Sequence, residues 1–386
     1  MSDTSNDIPL LSIVVPTRNR QDCALSLARS LHASTESSFE LVLHDNSDDD
    51  SLGRAIADLG DARLRYIHSS EKLNMHENFS RAIANARGAY LCGLGDDDGI
   101  LVEPALRIVE QAQVEGVDAV LTAIRSFLWP GLRHWLWGDL GGKIFPTHRH
   151  FSTSRQLDPV AQAVDVFSDA TVNGLRRLPR LYHGIVSRAA LDRLRERSGS
   201  YFPGGSPDMA NAMGLAYCTN ALTYDPRAAV ISGHSRKSGG GTGAAGQHHG
   251  RIEDQPHLPP GILDRWPAEI PRYWSGHTIY AQSAIAAAED VAAGPLPPFA
   301  FHRLYAACFI FDRKEYRGDV IAAMRGNPAF GPALVARTAV SAAAMFAIRV
   351  RAFVGSIWRY RIARSGQRAF SDMEDFISDL SARRDW

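Results

Sequence analysis

At 386 residues the chain exceeds the roughly 100–200 residues of one ordinary domain, so it holds either one large domain with an appended region or two domains. Lys plus Arg and Asp plus Glu both total 42, which excludes a global field for nucleic acid and a strongly acidic surface, so any electrostatic function is local. Cys23, Cys92, Cys218 and Cys308 are scattered without paired spacing, which argues against a zinc site or a disulfide framework and for a reducing cytoplasm.

The amino terminus is polar and lacks the basic start and apolar run of a secretory signal. From there to residue 123, short β-rich runs alternate with helical periodicity, the signature of βαβ units around a largely parallel sheet. Leu10–Val15 reads as a strand, Gln21–Ala33 as a helix, and Phe39–His44 and Leu64–Ile67 as strands. Asn74–Arg87 is helical, Tyr90–Leu94 strand-like, Val102–Glu115 helical, and Ala119–Thr122 closes the series. Between Arg125 and Pro179 the pattern breaks into an aromatic, Gly/Pro-punctuated insertion holding Trp129, His134, Trp135, Trp137, His148 and His150, where core packing is the default role of the tryptophans. Leu181–Val186 resumes as a strand, followed by helices at Ala189–Arg197 and Pro207–Tyr217 and a strand at Ala228–Ser232. Ser238–Gly250 is Gly-rich, a loop or linker. Beyond about Pro271 the chain reads as helices. Pro332–Ile348 is apolar but interrupted by Arg337 and short of the roughly 20 residues of a spanning helix, so no membrane anchor is expected. The strip Arg349–Arg368 holds six arginines and no acid, a pattern suited to an anionic membrane surface, a partner or solvent.

Chemistry concentrates at Gly95-Asp96-Asp97-Asp98-Gly99, which follows a strand at the carboxyl edge of the expected sheet, where open α/β folds bind ligands. Adjacent carboxylates repel, and a hard cation such as Mg²⁺ or Mn²⁺ relieves them while taking its remaining ligands from a diphosphate and water. The same residues also suit an acidic turn.

Pro16-Thr17-Arg18-Asn19-Arg20 after the first strand, His44-Asp45-Asn46-Ser47 after the second, and the acidic triplet after Asn74–Ala86 together resemble family 2 glycosyltransferases of GT-A fold. The resemblance is strong over residues 10–125 and continues weakly to about 235. It implies a GT-A doubly wound, mostly parallel sheet over residues 1–235, with a nucleotide-binding half at 1–123 and an acceptor half at 124–235. A loop or linker at 236–270 and a helical region at 271–386 follow. By the same resemblance Pro16, Thr17 and Arg18 line the nucleotide pocket, Asp45 accepts a hydrogen bond from the base, and Asp96 and Asp97 hold ribose and metal-bound water. Asp98 sits on the metal, with Asp96 and His234 as further ligands. Asn78, on one helix face with Asn74, borders the pocket, although Asn74 also suits a helix cap.

Inverting transfer to a hydroxyl needs a carboxylate to take the acceptor proton and a cation to stabilise the leaving diphosphate. Ser206-Pro207-Asp208 supplies the base candidate, because Pro at a first helical turn fixes a helix start and sets Asp208 in it. The resulting expectation is a metal-assisted enzyme of surface polysaccharide synthesis. It would use a UDP-, GDP- or dTDP-sugar and a glycan or lipid-linked acceptor, in the cytoplasm or peripherally at the membrane. The alternatives are a nucleotidyltransferase of related fold, disfavoured because the first loop carries no glycine, and a carbohydrate-binding relic without catalysis.

Overall fold

The computed structural model describes residues 8–134, 138–139, 141–236, 249–255, 258–363 and 368–384. Trp135, Trp137, Lys237 and most of the Gly-rich run lie outside them. The amino-terminal elements are β1 (Leu11–Thr17), α1 (Gln21–His32), β2 (Phe39–Asp45), α2 (Ser51–Ala57), β3 (Leu64–His68), α3 (Met75–Asn85), β4 (Tyr90–Gly93), β5 (Gly99–Ile100), α4 (Val102–Glu115) and β6 (Ala119–Leu128). A small ribbon of β7 (Arg133–His134) and β8 (Gly138–Asp139) precedes β9 (Lys143–His148), β10 (Arg155–Leu157), α5 (Pro159–Ser168), β11 (Gly184–Ser187), α6 (Arg188–Ser198), α7 (Pro207–Cys218) and β12 (Leu222–His234). A second ribbon of β13 (His249–Gly250) and β14 (Trp274–Ser275) leads to α8 (Gly276–Val291), α9 (Phe301–Phe311), α10 (Arg317–Gly326), α11 (Pro332–Ala363) and α12 (Met373–Arg383).

One sheet of ten strands runs β10-β12-β6-β11-β4-β1-β2-β3, with β5 added to β12 and β9 to β6. β1, β2, β3 and β4 are mutually parallel and so are β6 and β12, while β11, β10, β9 and β5 run antiparallel to their neighbours. Both faces are covered. Leu11, Ile13 and Val15 of β1 point to a layer with α1 and α4, and Val14 points to the opposite layer with α3 and α6. That two-sided burial is why the central strands are near-continuous apolar runs.

The helices after Pro271 do not stand apart. Ala281, Ile285 and Leu304 share one buried cluster with Met209 and Met213 of α7 and Phe167 of α5. α12 returns to the amino-terminal half, where Phe376 stacks on Phe127 at 5.3 Å and the Glu374 N–H donates to Ser26 Oγ at 3.1 Å. α11 corrects the expectation for the apolar stretch near residue 340. Its segment Pro332–Arg351 is 20 residues long with mean hydropathy 1.5, long and apolar enough to cross a membrane, and only 11% of its richest window is buried. Helical continuation past Ile348 supplies the missing length, and Arg337 alone does not interrupt it.

Candidate active site

The acidic triplet lies at the carboxyl edge of the sheet, between the ends of β1, β2 and β12. All three carboxylates are buried, Asp96 at 0%, Asp97 at 3% and Asp98 at 1% exposure. Asp98 is held most completely. Its Oδ2 accepts from the Gly95 N–H at 2.7 Å, the Tyr182 hydroxyl at 2.9 Å and His183 Nε2 at 2.7 Å, and its Oδ1 accepts from the Gly233 N–H at 2.8 Å. Burial alone would raise its pKa, but the charge and hydrogen bond of His183, with the two main-chain donors, hold it below the ordinary Asp value. Asp97 Oδ2 accepts from the Ser235 N–H at 3.0 Å, and its carbonyl accepts from Trp129 Nε1 at 2.8 Å. β12 thus closes over the turn from behind. Only glycine fits at 233, because a Cβ there would stand 1.7 Å from the Asp97 carbonyl oxygen.

Asp96 faces the β1 loop. Its Oδ2 accepts from Thr17 Oγ1 at 2.7 Å, and Arg20 Nη2 lies 2.7 Å from its Oδ1, with Arg20 Nη1 3.4 Å from Asp97. Burial pushes Asp96 up to about 7, with Asp97 and Asp98 adding and Arg20 and Thr17 opposing. Arg20 is a site residue that sequence reasoning passed over. The second arginine of Pro-Thr-Arg-Asn-Arg was its only signal, and the left-handed Asn19, φ 55°, turns the loop there. Asn19 also clips the β1 and β2 loops together by donating its main-chain N–H to Ser47 Oγ at 2.8 Å.

The remaining nucleotide-side candidates converge on the same edge. Pro16 is half-buried, Thr17 buried and Arg18 exposed. Asp45 is fully buried; its Oδ1 accepts from the Ser47 N–H at 2.8 Å and its Oδ2 from the Tyr66 hydroxyl at 2.9 Å. Asn78 ties two strand ends, accepting from His44 Nδ1 at 2.6 Å and donating to the Thr17 carbonyl at 3.2 Å. Asn74 caps α3 in a reciprocal capping box with Glu77.

From the other side comes Asp208, in the first turn of α7 behind Pro207. Burial raises it to about 6, with Asp98 adding and His183 and Arg180 opposing, which places its carboxyl in the electrostatic range of the acidic turn. His234 is half-buried; burial lowers its pKa, opposed by Asp98 and Asp97. Tyr182 and His183 carry no sequence signal of their own, and His183 is held at φ 60°, a strained setting for a non-glycine residue. The arrangement sets an anionic Asp98 within electrostatic reach of Asp208, whose carboxyl burial raises to about 6. It can bind a polyhydroxylated phosphate ester and take up a proton.

Residues 12–160 match the sequence profile of glycosyl transferase family 2. A protein described as the colanic acid biosynthesis glycosyl transferase WcaA of Escherichia coli (strain K12) is 33% identical over 92 residues, 23% of this chain and 33% of that protein. The uncharacterized glycosyltransferase EpsJ of Bacillus subtilis (strain 168) is 30% identical over 115 residues, 29% of this chain and 33% of that protein. The chain therefore spans about a third of the length of these curated relatives. Among solved structures, S. aureus TarS 1–349 in complex with UDP-GlcNAc superposes with a TM-score of 0.52 at 14% identity, covering 81% of this chain and 79% of that one. The expected GT-A architecture, a mostly parallel ten-stranded sheet with flanking helices, is thereby the fold of this chain.

Proposed function

We propose that the protein is an inverting glycosyltransferase that moves a sugar from a nucleotide-sugar donor to a hydroxyl of a glycan or lipid-linked acceptor in surface polysaccharide synthesis. The observation that carries this reading is Asp208, a carboxyl raised to about 6 within the electrostatic range of Asp98 and His183 at the edge of a family 2 domain. A base with a pKa near the working pH combines the deprotonated form with useful proton affinity. Pro16, Thr17, Arg18, Asp45, Asn78, Asp96 and Asp97 form the donor side. Asp45 keeps lone pairs beyond those taken by Ser47 and Tyr66, enough to accept a ring N–H.

The donor set fits Mg²⁺ or Mn²⁺. Asp96 Oδ1 is buried without a well-aligned hydrogen bond, facing the Arg20 guanidinium at 2.7 Å, and the carboxylates of the turn are hard oxygen ligands. Among the described residues, no group of three or more His, Cys, Asp and Glu side chains is set to hold a metal alone. Asp98, expected on the metal, has its oxygens engaged by four protein donors. The reading therefore shifts the ion toward Asp96 and Asp97, with His234 alongside. When bound, the cation would offset charge developing on the leaving diphosphate. Arg349–Arg368 and the uncovered apolar side of α11 support peripheral contact with an anionic membrane.

The test is a melting-temperature screen of UDP-, GDP- and dTDP-sugars with and without Mn²⁺, followed by donor hydrolysis. A ligand at 100 times its dissociation constant stabilises by about 2.7 kcal/mol. No stabilisation by any of the three, and no hydrolysis, would return the fold to the binding-relic alternative.

A further inference from the structure

A cavity of about 340 Å³ is lined by His148, His150, Asn173, Arg176, Arg177 and Arg180. Its lining includes three guanidinium groups and no carboxylate. Two of the arginines are anchored from the wall: Arg176 pairs with Asp169 at 2.7 Å, and Arg177 reaches Asp165 at 3.2 Å and Gln162 at 2.9 Å. The Arg177 guanidinium also lies over the Phe151 ring, 5.6 Å from its centroid. Arg180 is different. It is 9% exposed, its Nε is buried without a hydrogen-bond partner, and its Nη1 reaches only the Arg176 carbonyl, at 3.3 Å. Asp208 acts on it through space, and among the described residues no carboxylate pairs with it directly. A desolvated, unpaired guanidinium is costly unless something anionic completes it.

The backbone supports a built site. Ala170, Thr171 and Arg176 take left-handed φ values of 55°, 60° and 47° in the segment that carries these arginines. Such strain in non-glycine residues persists where the surroundings enforce it and gathers at ligand sites. His150 completes the wall, its main-chain N–H fixed on the Tyr224 hydroxyl at 3.1 Å, and burial together with His148 and the arginines lowers its ring to about 4. It is therefore a neutral hydrogen-bonding group.

We propose that this cavity is an oxyanion subsite for the acceptor, so that the acceptor carries a phosphate or carboxylate close to the hydroxyl that is glycosylated. Planar guanidinium forks match both groups bidentately. This rests on the reading of Asp208 as the base, because the Asp208 carboxyl is within electrostatic reach of both Asp98 and Arg180. An anionic acceptor is oriented by Arg180 at one end while Asp208 receives the proton of its hydroxyl.

Calorimetry with inorganic phosphate and, separately, with glucuronate tests the subsite, on protein saturated with nucleotide so that the donor site is filled; methyl glucoside is the neutral control. One of the two anions binds, weakening with added salt, and the more strongly bound one names the acceptor group. Arg176→Gln and Arg177→Gln each weaken it by about tenfold, the scale of a charge-assisted hydrogen bond, and Arg180→Lys does so if it folds. Absence of anion binding in the parent overturns the proposal, as does parental affinity in Arg176→Gln and Arg177→Gln with parental melting curves. If Asp208→Asn abolishes transfer while no anion binds, only the subsite falls. If anions bind and Asp208→Asn transfers normally, the base assignment falls and the subsite stands as a site of other purpose.

Discussion

Replacing Asp208 with Asn separates catalysis from stability in opposite directions. The folded carboxyl holds its proton up to about 6 rather than the ordinary 3.8, so the native state is favoured at low pH and loses that advantage as pH rises from about 4 through about 6. Above pH 7 an ionised Asp208 costs about 3 kcal/mol, discounted to about 1–2 for the solvent that reaches a half-buried group. Asparagine removes the charge and keeps the shape, forfeiting about 0.3–1 kcal/mol of interaction with the helix dipole. The mutant should therefore melt about 1–2 °C above the parent at pH 7.5 and level with it at pH 4. Transfer to acceptor at saturating donor should meanwhile fall by about 10²–10⁴. Melting curves at both pH values and steady-state transfer are the assays. A mutant that transfers within about threefold of parent refutes the base, on the scale expected for a positioned general base. One that melts lower at pH 7.5 refutes the buried-charge argument.

Arg20→Gln removes the guanidinium between Asp96 and Asp97, so stability in EDTA should drop by about 2 kcal/mol or more and recover with Mn²⁺; no recovery would mean that these acids do not face a cation. Asp312 accepts from the Tyr273 hydroxyl at 2.7 Å, Ser275 Oγ at 2.9 Å and His277 Nδ1 at 2.8 Å, and despite burial these donors pull it from 3.8 to about 2. The stability it confers is present above about pH 4 and lost as pH falls through about 2. Asp312→Asn should therefore cost about 2 kcal/mol in urea titrations at pH 7 and flatten the acid limb of the stability curve. Changing Arg349, Arg351, Arg359 and Arg361 to Gln should weaken sedimentation with anionic vesicles by about 1 kcal/mol per charge, and unchanged binding would remove the membrane contact.

The nucleotide half was legible because burial on both sheet faces writes apolar runs, and turn chemistry marks where they stop: β1, β2, β3 and β4 lie within one or two residues of the positions expected from the sequence. β6 and β12 ran longer than expected. Arg125 and Ser126 break the apolar pattern of β6 although the ladder continues, and Asp225-Pro226-Arg227 sits at a register shift inside β12. The acidic triplet and Asp208 were readable as residue types at strand and helix ends. Their partners were not. Tyr182 and His183 reach Asp98 across 84 and 85 positions, and Arg20 spans 76 to Asp96; such pairings follow from topology, which periodicity does not encode.

The return of α12 has a consequence for biosynthesis. Phe370, Met373, Phe376, Ile377 and Leu380 form one apolar cluster with Leu101, Phe127 and Trp129, and Trp129 is the side chain that holds the Asp97 carbonyl. These contacts join residues made early in translation to residues made more than two hundred positions later. A nascent chain still lacking residue 370 carries the acidic turn with β12 behind it but leaves Leu101, Phe127 and Trp129 without the helix that packs on them. A partner or fusion that occupies α12 during synthesis therefore leaves a chain with its sheet formed and the Trp129 prop of the acidic turn unpacked on its outer side.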